Sequence, residues 1–352
     1  MPKYINTKYV DALRDAFIFA LQNDQNVILF GLDVDDHKGI QGSTLGLQKI
    51  FGAERVFSTP MAEDSMTGVA IGAALAGFRP IHVHIRMDFM LLCMNQLVNM
   101  AAKISYMYDG AFKVPLVVRA MIGRSWGQGA QHSQALHSLF MHIPGLKVVA
   151  PSNAYDAKGL MLSAIKDDNP VIFIEHRLLY DMQMLLPENY YEVAFGRGRI
   201  VTCGNDITIV AVSHMVVEAT RAHMHLLSIG ISAEIIDPIS LKPLDIDLII
   251  NSARKTKRLL VVDNAWLTCG LAAEIIALVA ENLNEEAAKI KYARLGFAET
   301  PCPTAKVLEN QFYPSEISIT KKAYHMVTEN ILQNWKHAKI AHSEIDAFRG
   351  PF

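Results

Sequence analysis

The sequence is poor in charged residues, and the charges it has nearly balance. Charged side chains make up 19% of the 352 residues and the formal net charge is −2, whereas globular domains average about 25% charged residues. A nearly neutral chain has no electrostatic basis for binding nucleic acid or an anionic membrane surface, so neither class of partner is expected. The low charge also predicts that part of the surface is hidden in a subunit interface.

The sequence lacks the segments that would direct it into a membrane or out of the cell. Its amino terminus has no apolar core or cleavage site of a signal peptide. No apolar run approaches the roughly 18 residues that a spanning helix needs. The cysteines form no CxxC pair and have no metal-ligand spacing. We therefore expect a soluble cytoplasmic protein with free thiols and no membrane contact.

Familiar nucleotide and nucleophile motifs are absent or incomplete. No GxGxxG follows a predicted strand and neither GxxxxGKS nor GxxxxGKT occurs, so a dinucleotide or P-loop site has no support. The run GRSWG at 123–127 fits GxSxG. A nucleophile elbow needs a helix at the serine, however, and Gly127 and Gly129 prolong the loop. Ser125 is therefore predicted to be an ordinary loop residue.

Three histidines allow two interpretations each. His82 and His84 lie two apart on a predicted strand and face the same side of it, but the spacing suggests no third ligand, so we do not predict a metal site there. His132 follows a glycine-rich loop and precedes a helix. Its composition alone favours a capping or core histidine, whereas its position after a strand raises the odds of a functional role.

Six short apolar runs alternate with predicted helices in the first half of the chain. This alternation predicts a parallel sheet covered by helices on both faces. Loops at the carboxyl ends of such strands build the site, so Glu63, Arg86 and the loop 120–132 are expected to converge. The predicted strands are Val27–Phe30, Val56–Ser58, Ile81–Ile85, Leu116–Arg119, Leu146–Ala150 and Val171–Glu175.

The alternation lapses once and then resumes, which predicts two α/β domains. The first spans 1–185, a connector spans 186–204, and the second spans 205–335. From about Ser318 the chain is predicted to be helical and polar, with a polar tail over 336–352.

One acidic residue stands ahead of a helix built almost wholly from small side chains. Glu63 precedes this helix, which ends at Gly77. Small residues allow close approach of a neighbouring chain or sheet. Taken alone, Glu63 would simply favour the positive end of the helix dipole. The small residues are Gly68, Ala70, Gly72, Ala73, Ala74 and Ala76.

An ordered set of segments resembles a known family. STPMAEDSMTGVAIGAALAG, NQLVNMAAK, GAQHSQ and HIPGLKVVAPSNAYDAKGLMLSAIKDDNPVIFIEH occur in sequence, followed by DITIVAVSHMVVEAT, ISAEIIDPISLKPLD and RLLVVDN. Together they resemble the β subunit of thiamine-diphosphate-dependent 2-oxo acid dehydrogenases, over roughly residues 5–300. The resemblance implies two doubly wound α/β domains, a pyrimidine-binding-type parallel sheet and then a transketolase carboxy-terminal-type domain.

The resemblance also assigns roles to individual residues. Glu63 takes the place of the glutamate that activates the cofactor, and His132 that of the histidine that assists acyl transfer. Ile85 and Phe89 take the places of residues that pack on the cofactor's aminopyrimidine. A structural potassium site would use the backbone carbonyls of Leu116, Ala164, Ile165, Asp167 and Asn169.

Several positions depart from the family pattern towards polar or bulky side chains. The stretch after Glu63 becomes Asp64-Ser65-Met66, the strand near the site carries His82, His84, Arg86 and Asp88, and the glycine loop carries Arg124 and Trp126. We expect Arg86, Arg124 and His84 to contact a substrate or acceptor more polar than pyruvate and lipoamide, such as a sugar or an anionic oxo acid.

The family's diphosphate and magnesium motif, GDG followed by an Asn pair, is absent from this sequence. The resemblance places that motif, and with it most of the binding of magnesium and diphosphate, on an α subunit. It implies a heterotetramer of two α and two β chains that acts on a small 2-oxo acid and passes the acyl unit to a lipoyl-bearing acyltransferase. Two alternatives are a split transketolase-like or acyl-transferring enzyme that acts on a sugar or other polar acceptor, and a non-catalytic scaffold subunit.

Overall fold

The computed structural model describes residues 3–124, 127–333, 335–336, 338 and 340–343. The chain divides into two compact units. The first contains Met1–Arg124 and His132–Phe195, and the second contains Ser125–Gln131 and Gly196–Phe352. Among the described residues, no helix is both long enough and apolar enough to cross a membrane.

The first unit alternates strands and helices along the chain. Its strands are β1 (Tyr4–Lys8), β2 (Val27–Gly31), β3 (Val56–Ser58), β4 (Arg79–His84), β5 (Val117–Ile122), β6 (Lys147–Val149), β7 (Val171–His176) and β8 (Gln183–Pro187). Its α-helices are α1 (Tyr9–Asn23), α2 (Leu47–Phe51), α3 (Glu63–Leu75), α4 (Ala102–Met107), α5 (His137–Met141) and α6 (Ala154–Lys166). A 3₁₀ segment, Met87–Cys93, and a π-helical segment, Gln96–Ala101, lie between β4 and α4.

Six strands of this unit form the parallel sheet that the apolar runs predict. They lie in the order β6-β7-β5-β4-β2-β3, and every neighbouring pair among them is parallel. Because both faces are covered, the central strands β5 and β7 are buried along their whole length. The carboxyl ends of β2, β3 and β4 therefore meet at one edge of the sheet, where Glu63 lies.

A close approach of two strands at that edge explains one glycine. Gly31 ends β2 with φ +153°, and a Cβ built there would lie 2.4 Å from the carbonyl oxygen of Val83 in β4. Any larger residue would therefore push β2 and β4 apart next to the Glu63 edge.

Two features of the first unit were not predicted. β1 pairs antiparallel with β8, although both carry many exposed residues and no continuous apolar run. The segment predicted as one helix from Phe89 to Tyr108 divides into 3₁₀, π and α parts. Apolar spacing alone does not distinguish these helix types, because each segment is only six or seven residues long and contains too few turns to show its period.

The second unit holds a five-stranded sheet in the order β14-β13-β10-β11-β9. β9 is the antiparallel edge strand, and it was missed because it falls in the predicted connector. The strands are β9 (Arg199–Thr202), β10 (Ile207–Ala211), β11 (Ala233–Asp237), β12 (Ser240–Lys242, outside this sheet), β13 (Arg258–Val262) and β14 (Lys291–Leu295). The helices are α7 (Met215–Ser228), α8 (Ile246–Thr256), α9 (Leu271–Leu283), α10 (Lys306–Phe312) and α11 (Glu316–Thr328).

The last helix corrects the prediction of a polar helical segment from about Ser318. In α11, Ile319, Ala323 and Met326 are buried and belong to the same hydrophobic cluster as β10 and α7. The helix is amphipathic, with its apolar side chains spaced three or four residues apart. Its polar composition conceals a core element.

Candidate functional site

Glu63 is the first residue of α3, directly after the loop that leaves β3. Its side chain is half-buried and lines a small pocket at the carboxyl edge of the sheet. As an acid in the first helical turn it also interacts favourably with the helix dipole. The described lining of the pocket is Leu32, Thr59, Pro60, Ala62, Glu63, Met66, His82, Val83 and His84.

Two buried histidines share this pocket with Glu63. His82 and His84 lie on one face of β4, as their spacing predicts, with ring centroids 4.5 Å apart in an edge-to-face contact. Burial lowers the pKa of His82 to about 4, with the Phe30 backbone opposing the shift, and lowers the pKa of His84 well below its usual value. Both rings are therefore uncharged near neutral pH.

The two histidines do not form a metal site with Glu63 in the described part of the chain. The one group of three potential ligands found there lies in the second unit and consists of Glu218, Glu316 and His342. Glu218 already accepts hydrogen bonds from Arg221 Nη1 at 3.0 Å and from the Glu316 backbone N–H at 2.8 Å. That carboxylate is thus paired with a cation of its own chain.

Phe89 and His132, both in the first unit, contact each other through their rings. Their rings pack edge to face with centroids 5.3 Å apart, and both side chains are half-buried. The structure therefore brings together two of the residues that the resemblance assigns to the cofactor and to acyl transfer.

A hydrogen-bonded bridge fixes the segment that carries His132. The Asp88 carboxylate accepts hydrogen bonds from the Gln134 backbone N–H at 3.2 Å and from Gln134 Nε2 at 2.9 Å. Burial raises the pKa of Asp88, although these hydrogen bonds oppose the shift. Sequence reasoning treated Asp88 only as a departure from the family and missed Gln134. The one feature of the sequence that could have pointed to Gln134 is its position two residues after His132.

Arg86 lies directly after β4, next to Ile85, and both are half-buried. Arg86 Nη1 donates to the Ile85 carbonyl at 2.9 Å. Burial lowers the pKa of Arg86 to about 10, while Asp88 and Tyr180 act in the opposite direction. The guanidinium is still a cation at neutral pH. Neither Arg86 nor Ile85 belongs to the described lining of the Glu63 pocket.

Arg124 is half-buried near the start of the loop that follows β5, and it is also outside that lining. The preceding Gly123 has φ +124°, and a Cβ there would lie 3.0 Å from the His176 ring. The predictions for Ser125 and Trp126 lie outside the described residues.

A fully buried ion pair joins β5 and β7 in the middle of the sheet. Arg119 and Glu175 are both 0% exposed and are joined by two hydrogen bonds, one of them Nη2 to Oε2 at 2.9 Å. Tyr180 donates to the same carboxylate at 2.6 Å, and Arg119 Nη2 donates to Ser43 Oγ at 2.7 Å. The network thereby ties the loop after β2, which carries Ser43, to the centre of the sheet.

A cation of the chain occupies part of the predicted potassium ligand set. Arg79 Nη1 donates to the Ile165 carbonyl at 3.0 Å and to the Asp167 carbonyl at 3.1 Å. The Leu116 carbonyl accepts from the Val171 N–H at 2.9 Å. Each of these carbonyl oxygens retains a second lone pair.

Two family models match the chain. Residues 6–183 match the transketolase pyrimidine binding domain, and residues 196–319 match the transketolase C-terminal domain.

Curated relatives match over most of their own length. The subunit beta of acetoin:2,6-dichlorophenolindophenol oxidoreductase from Bacillus subtilis is 42% identical over 335 residues, which cover 92% of this chain and 97% of the relative. The pyruvate dehydrogenase E1 component subunit beta of Porphyra purpurea is 44% identical over 85% of this chain and 90% of its own. The protein of the same name from Rickettsia bellii is 40% identical over 88% of this chain and 95% of its own.

A solved structure confirms the fold. It is described as a split gene transketolase, inactive beta4 tetramer, and it superposes with a TM-score of 0.74 at 22% identity, covering 91% of this chain and 98% of that chain. At this identity the likeness concerns the fold alone, which is the two-domain transketolase-like α/β fold that the sequence predicts.

Proposed function

The chain belongs to the transketolase-related family of E1 β subunits, and on that premise we propose that it completes a thiamine-diphosphate site together with an α subunit and decarboxylates a 2-oxo acid. Membership of this family implies dependence on thiamine diphosphate and an α–β partnership. The observation that carries the proposal is the position of Glu63, at the first turn of α3 in a pocket of the pyrimidine binding domain.

The described residues fit the aminopyrimidine end of the cofactor. When bound, thiamine diphosphate supplies a thiazolium carbon that adds to a carbonyl group and takes up the electrons released on decarboxylation. Glu63 is proposed to share a proton with the pyrimidine ring nitrogen, a task for which a half-buried carboxyl group is suited. Phe89 and Ile85 are proposed to pack against the ring.

His132 is proposed to hold or transfer a proton at the oxygen of the bound substrate during acyl transfer. Its ring lies against Phe89, and the Asp88–Gln134 hydrogen bonds fix the chain two residues after it. A general acid or base needs such a fixed position, because proton transfer requires hydrogen-bond distance in the reacting geometry.

The surface of the first unit supports a partner subunit. Many apolar side chains around α3 and the segment between β4 and β5 are exposed, and patches of this kind mark interaction sites. They include Met61, Val69, Leu75, Phe78, Leu91, Leu92, Met100, Tyr106 and Met107. An α subunit would also supply the diphosphate and magnesium motif that this sequence lacks.

We further propose that the protein assembles as a heterotetramer of two α and two β chains. Magnesium is held mainly by the α subunit, a potassium ion binds at the carbonyls described above, and the acyl unit passes to a lipoyl-bearing acyltransferase. The cytoplasmic location stays a prediction from the sequence.

Arg86 and Arg124 are proposed to bind a polar or anionic part of the substrate. Arg86 remains charged although half-buried, and a partly desolvated guanidinium binds a carboxylate strongly. His84, which the sequence suggested as a third substrate residue, is uncharged and lines the Glu63 pocket, which favours a role beside Glu63. The names of the relatives favour the dehydrogenase over the sugar-acting and scaffold alternatives.

The test is co-expression with an α-subunit chain, followed by thiamine-diphosphate titration and a decarboxylation screen over 2-oxo acids. Glu63→Ala is expected to abolish turnover, because no other acid lines the described pocket. Asp64→Ala is the matched control, since Asp64 is the adjacent acid in α3 and is exposed. Unchanged turnover in Glu63→Ala would contradict the proposal, and binding without turnover on any oxo acid would favour the sugar-acting alternative.

A further inference from the structure

The Glu63 pocket is lined by two histidines whose buried ring nitrogens make no hydrogen bond of normal geometry to the described part of the chain. His82 and His84 are 2% and 3% exposed. Within the described chain, neither ring nitrogen of His82 nor Nε2 of His84 makes a hydrogen bond of normal geometry, although the Phe30 backbone lies near enough to His82 to oppose the lowering of its pKa. Buried polar atoms in native proteins are almost always paired, so these nitrogens call for an explanation at the site they face.

Glu63 is the one acidic group in the described lining of this pocket. The other lining side chains are the two histidines, Thr59 and the apolar Leu32, Pro60, Ala62, Val83 and Met66. If the rings served only to fill space, Phe or Leu would do so without burying unpaired nitrogens. The polar groups of the pocket are therefore one carboxyl group, two imidazoles and the Thr59 hydroxyl.

The charge state of the histidines matters for that carboxyl group. An imidazolium would attract the carboxylate and hold Glu63 in its ionised form. Because burial keeps both rings uncharged, each offers one N–H donor and one acceptor nitrogen. Such a pair can hydrogen-bond Glu63 whether or not the carboxyl carries a proton.

We propose that His82 and His84 are positioning residues for Glu63, holding its carboxyl group towards the cofactor's pyrimidine ring by hydrogen bonds, direct or through one ordered water, without adding charge. The inference rests on the function proposed above, because it gives Glu63 its task. In this role the two histidines take part in the activation of the cofactor and do not bind the substrate.

The experiment uses the co-expressed α–β complex with bound thiamine diphosphate. The measurement is the rate at which the C2 proton of the bound cofactor exchanges with deuterium, together with the dissociation constant of the cofactor. His82→Phe and His84→Phe are each expected to slow exchange about tenfold, the effect of one lost hydrogen bond, with little change in cofactor affinity. His82→Gln and His84→Gln, which retain donors and acceptors, are expected to recover most of the rate.

A second readout needs no cofactor. In the complex labelled with ¹⁵N-histidine, Glu63→Ala is expected to shift the ring nitrogen resonances of His82 and His84, because it removes the carboxyl group to which they are proposed to hydrogen-bond. The resonances of His137, a buried histidine outside the pocket lining, should not move. This readout uses variants with intact histidines, so it decides the matter even where a Phe variant fails to fold.

The outcomes separate this inference from the proposed function. Wild-type exchange rates in both Phe variants, with exchange abolished in Glu63→Gln, would overturn the positioning role and leave the function of Glu63 in place. Wild-type exchange in Glu63→Gln would overturn the proposed function itself. His137→Phe is the matched control for burying a phenyl ring elsewhere in the same unit and should exchange at the wild-type rate.

Discussion

The rings of Phe89 and His132 lie edge to face with their centroids 5.3 Å apart. Phe89 comes from the 3₁₀ segment after β4, and His132 comes from the loop after β5, 43 positions along the chain. The contact couples a residue proposed to pack on the cofactor to one proposed to act on the substrate. Because both residues belong to the first unit, this contact fixes the position of each ring relative to the other.

Replacing Phe89 should weaken both functions together. An aromatic pair contributes about 0.5–1.5 kcal/mol beyond the area that it buries. Phe89→Leu is thus expected to weaken thiamine-diphosphate binding by roughly 2- to 10-fold and to lower kcat as His132 loses its neighbour. Titration and steady-state kinetics of the α–β complex measure both. Phe19→Leu, which removes a stacked ring against Tyr190, is the control, and equal losses in the two variants would contradict the prediction.

Removing the Arg86 cation should discriminate between substrates by charge. A charge-assisted hydrogen bond contributes about 1.5–3 kcal/mol, so Arg86→Ala is expected to lower kcat/KM for 2-oxo acids by roughly 10- to 100-fold. A neutral hydroxyketone should lose far less. Arg124→Ala tests the second proposed cation in the same way. If both variants keep every kinetic constant unchanged, the substrate assignment is wrong.

The Arg119–Glu175 pair should be essential for stability. Removing one partner of a buried ion pair costs about 3–5 kcal/mol, because it leaves an uncompensated buried charge. Glu175→Ala is therefore expected to lower the free energy of unfolding by about that amount, as measured by urea denaturation. The control is Glu188→Ala, which removes an exposed partner of Lys3 and should cost less than about 1 kcal/mol. Similar costs for the two variants would refute the prediction.

The buried histidines predict a specific dependence of stability on pH. The pKa of His82 is about 4 in the folded chain against an ordinary 6.5, so the unfolded chain binds the proton more readily. Stability is expected to be unaffected by this group above pH 6.5 and to fall as pH drops from 6.5 to 4, by about 1.4 kcal/mol per pH unit at most. His84 adds a loss of the same sign.

The measurement is the free energy of unfolding as a function of pH in the chain and in its His82→Phe variant. The variant should lose less stability between pH 6.5 and 4 than the parent. Parallel curves would show that burial does not lower the pKa of His82.

Gly31 should not tolerate a side chain. A Cβ there would lie 2.4 Å from the Val83 carbonyl, so Gly31→Ala must separate β2 from β4, at an expected cost of about 1–3 kcal/mol. Gly72→Ala is the matched control, because nothing lies within 4 Å of its added Cβ. In the interior of α3 that change should be neutral or stabilising. Thermal unfolding of both variants measures the difference, and equal midpoints would contradict the prediction.

The sequence predicted the features that arise from local patterns. Short apolar runs such as Val171–Glu175 predicted the six parallel strands, because a strand buried on both faces reads as a continuous apolar run. The spacing of His82 and His84 also predicted their common face. The strand pattern also placed Glu63 and the loop that carries His132 at the expected site. The roles of these two residues, and the choice of Phe89, came from the resemblance alone.

Features that depend on distant partners escaped prediction. β1 forms only because Gln183–Pro187 pairs with it, nearly 180 positions later, and Gln134 gains its role only when the fold brings it to Asp88. The buried face of α11 was hidden by its polar composition. The ring nitrogens of His82 and Nε2 of His84 make no hydrogen bond of normal geometry to the described part of the chain because of how the surrounding residues pack, and no sequence pattern predicts this.

The exposed apolar side chains of the first unit also bear on how a cell must supply this chain. Leu92, Tyr106 and Met107 are each 60% or more exposed, and a surface of this kind associates with itself when its partner is missing. Chains made in excess of the α subunit would therefore associate with one another through these apolar side chains. Matched synthesis of the two chains, as from one transcript, would then protect solubility as well as activity.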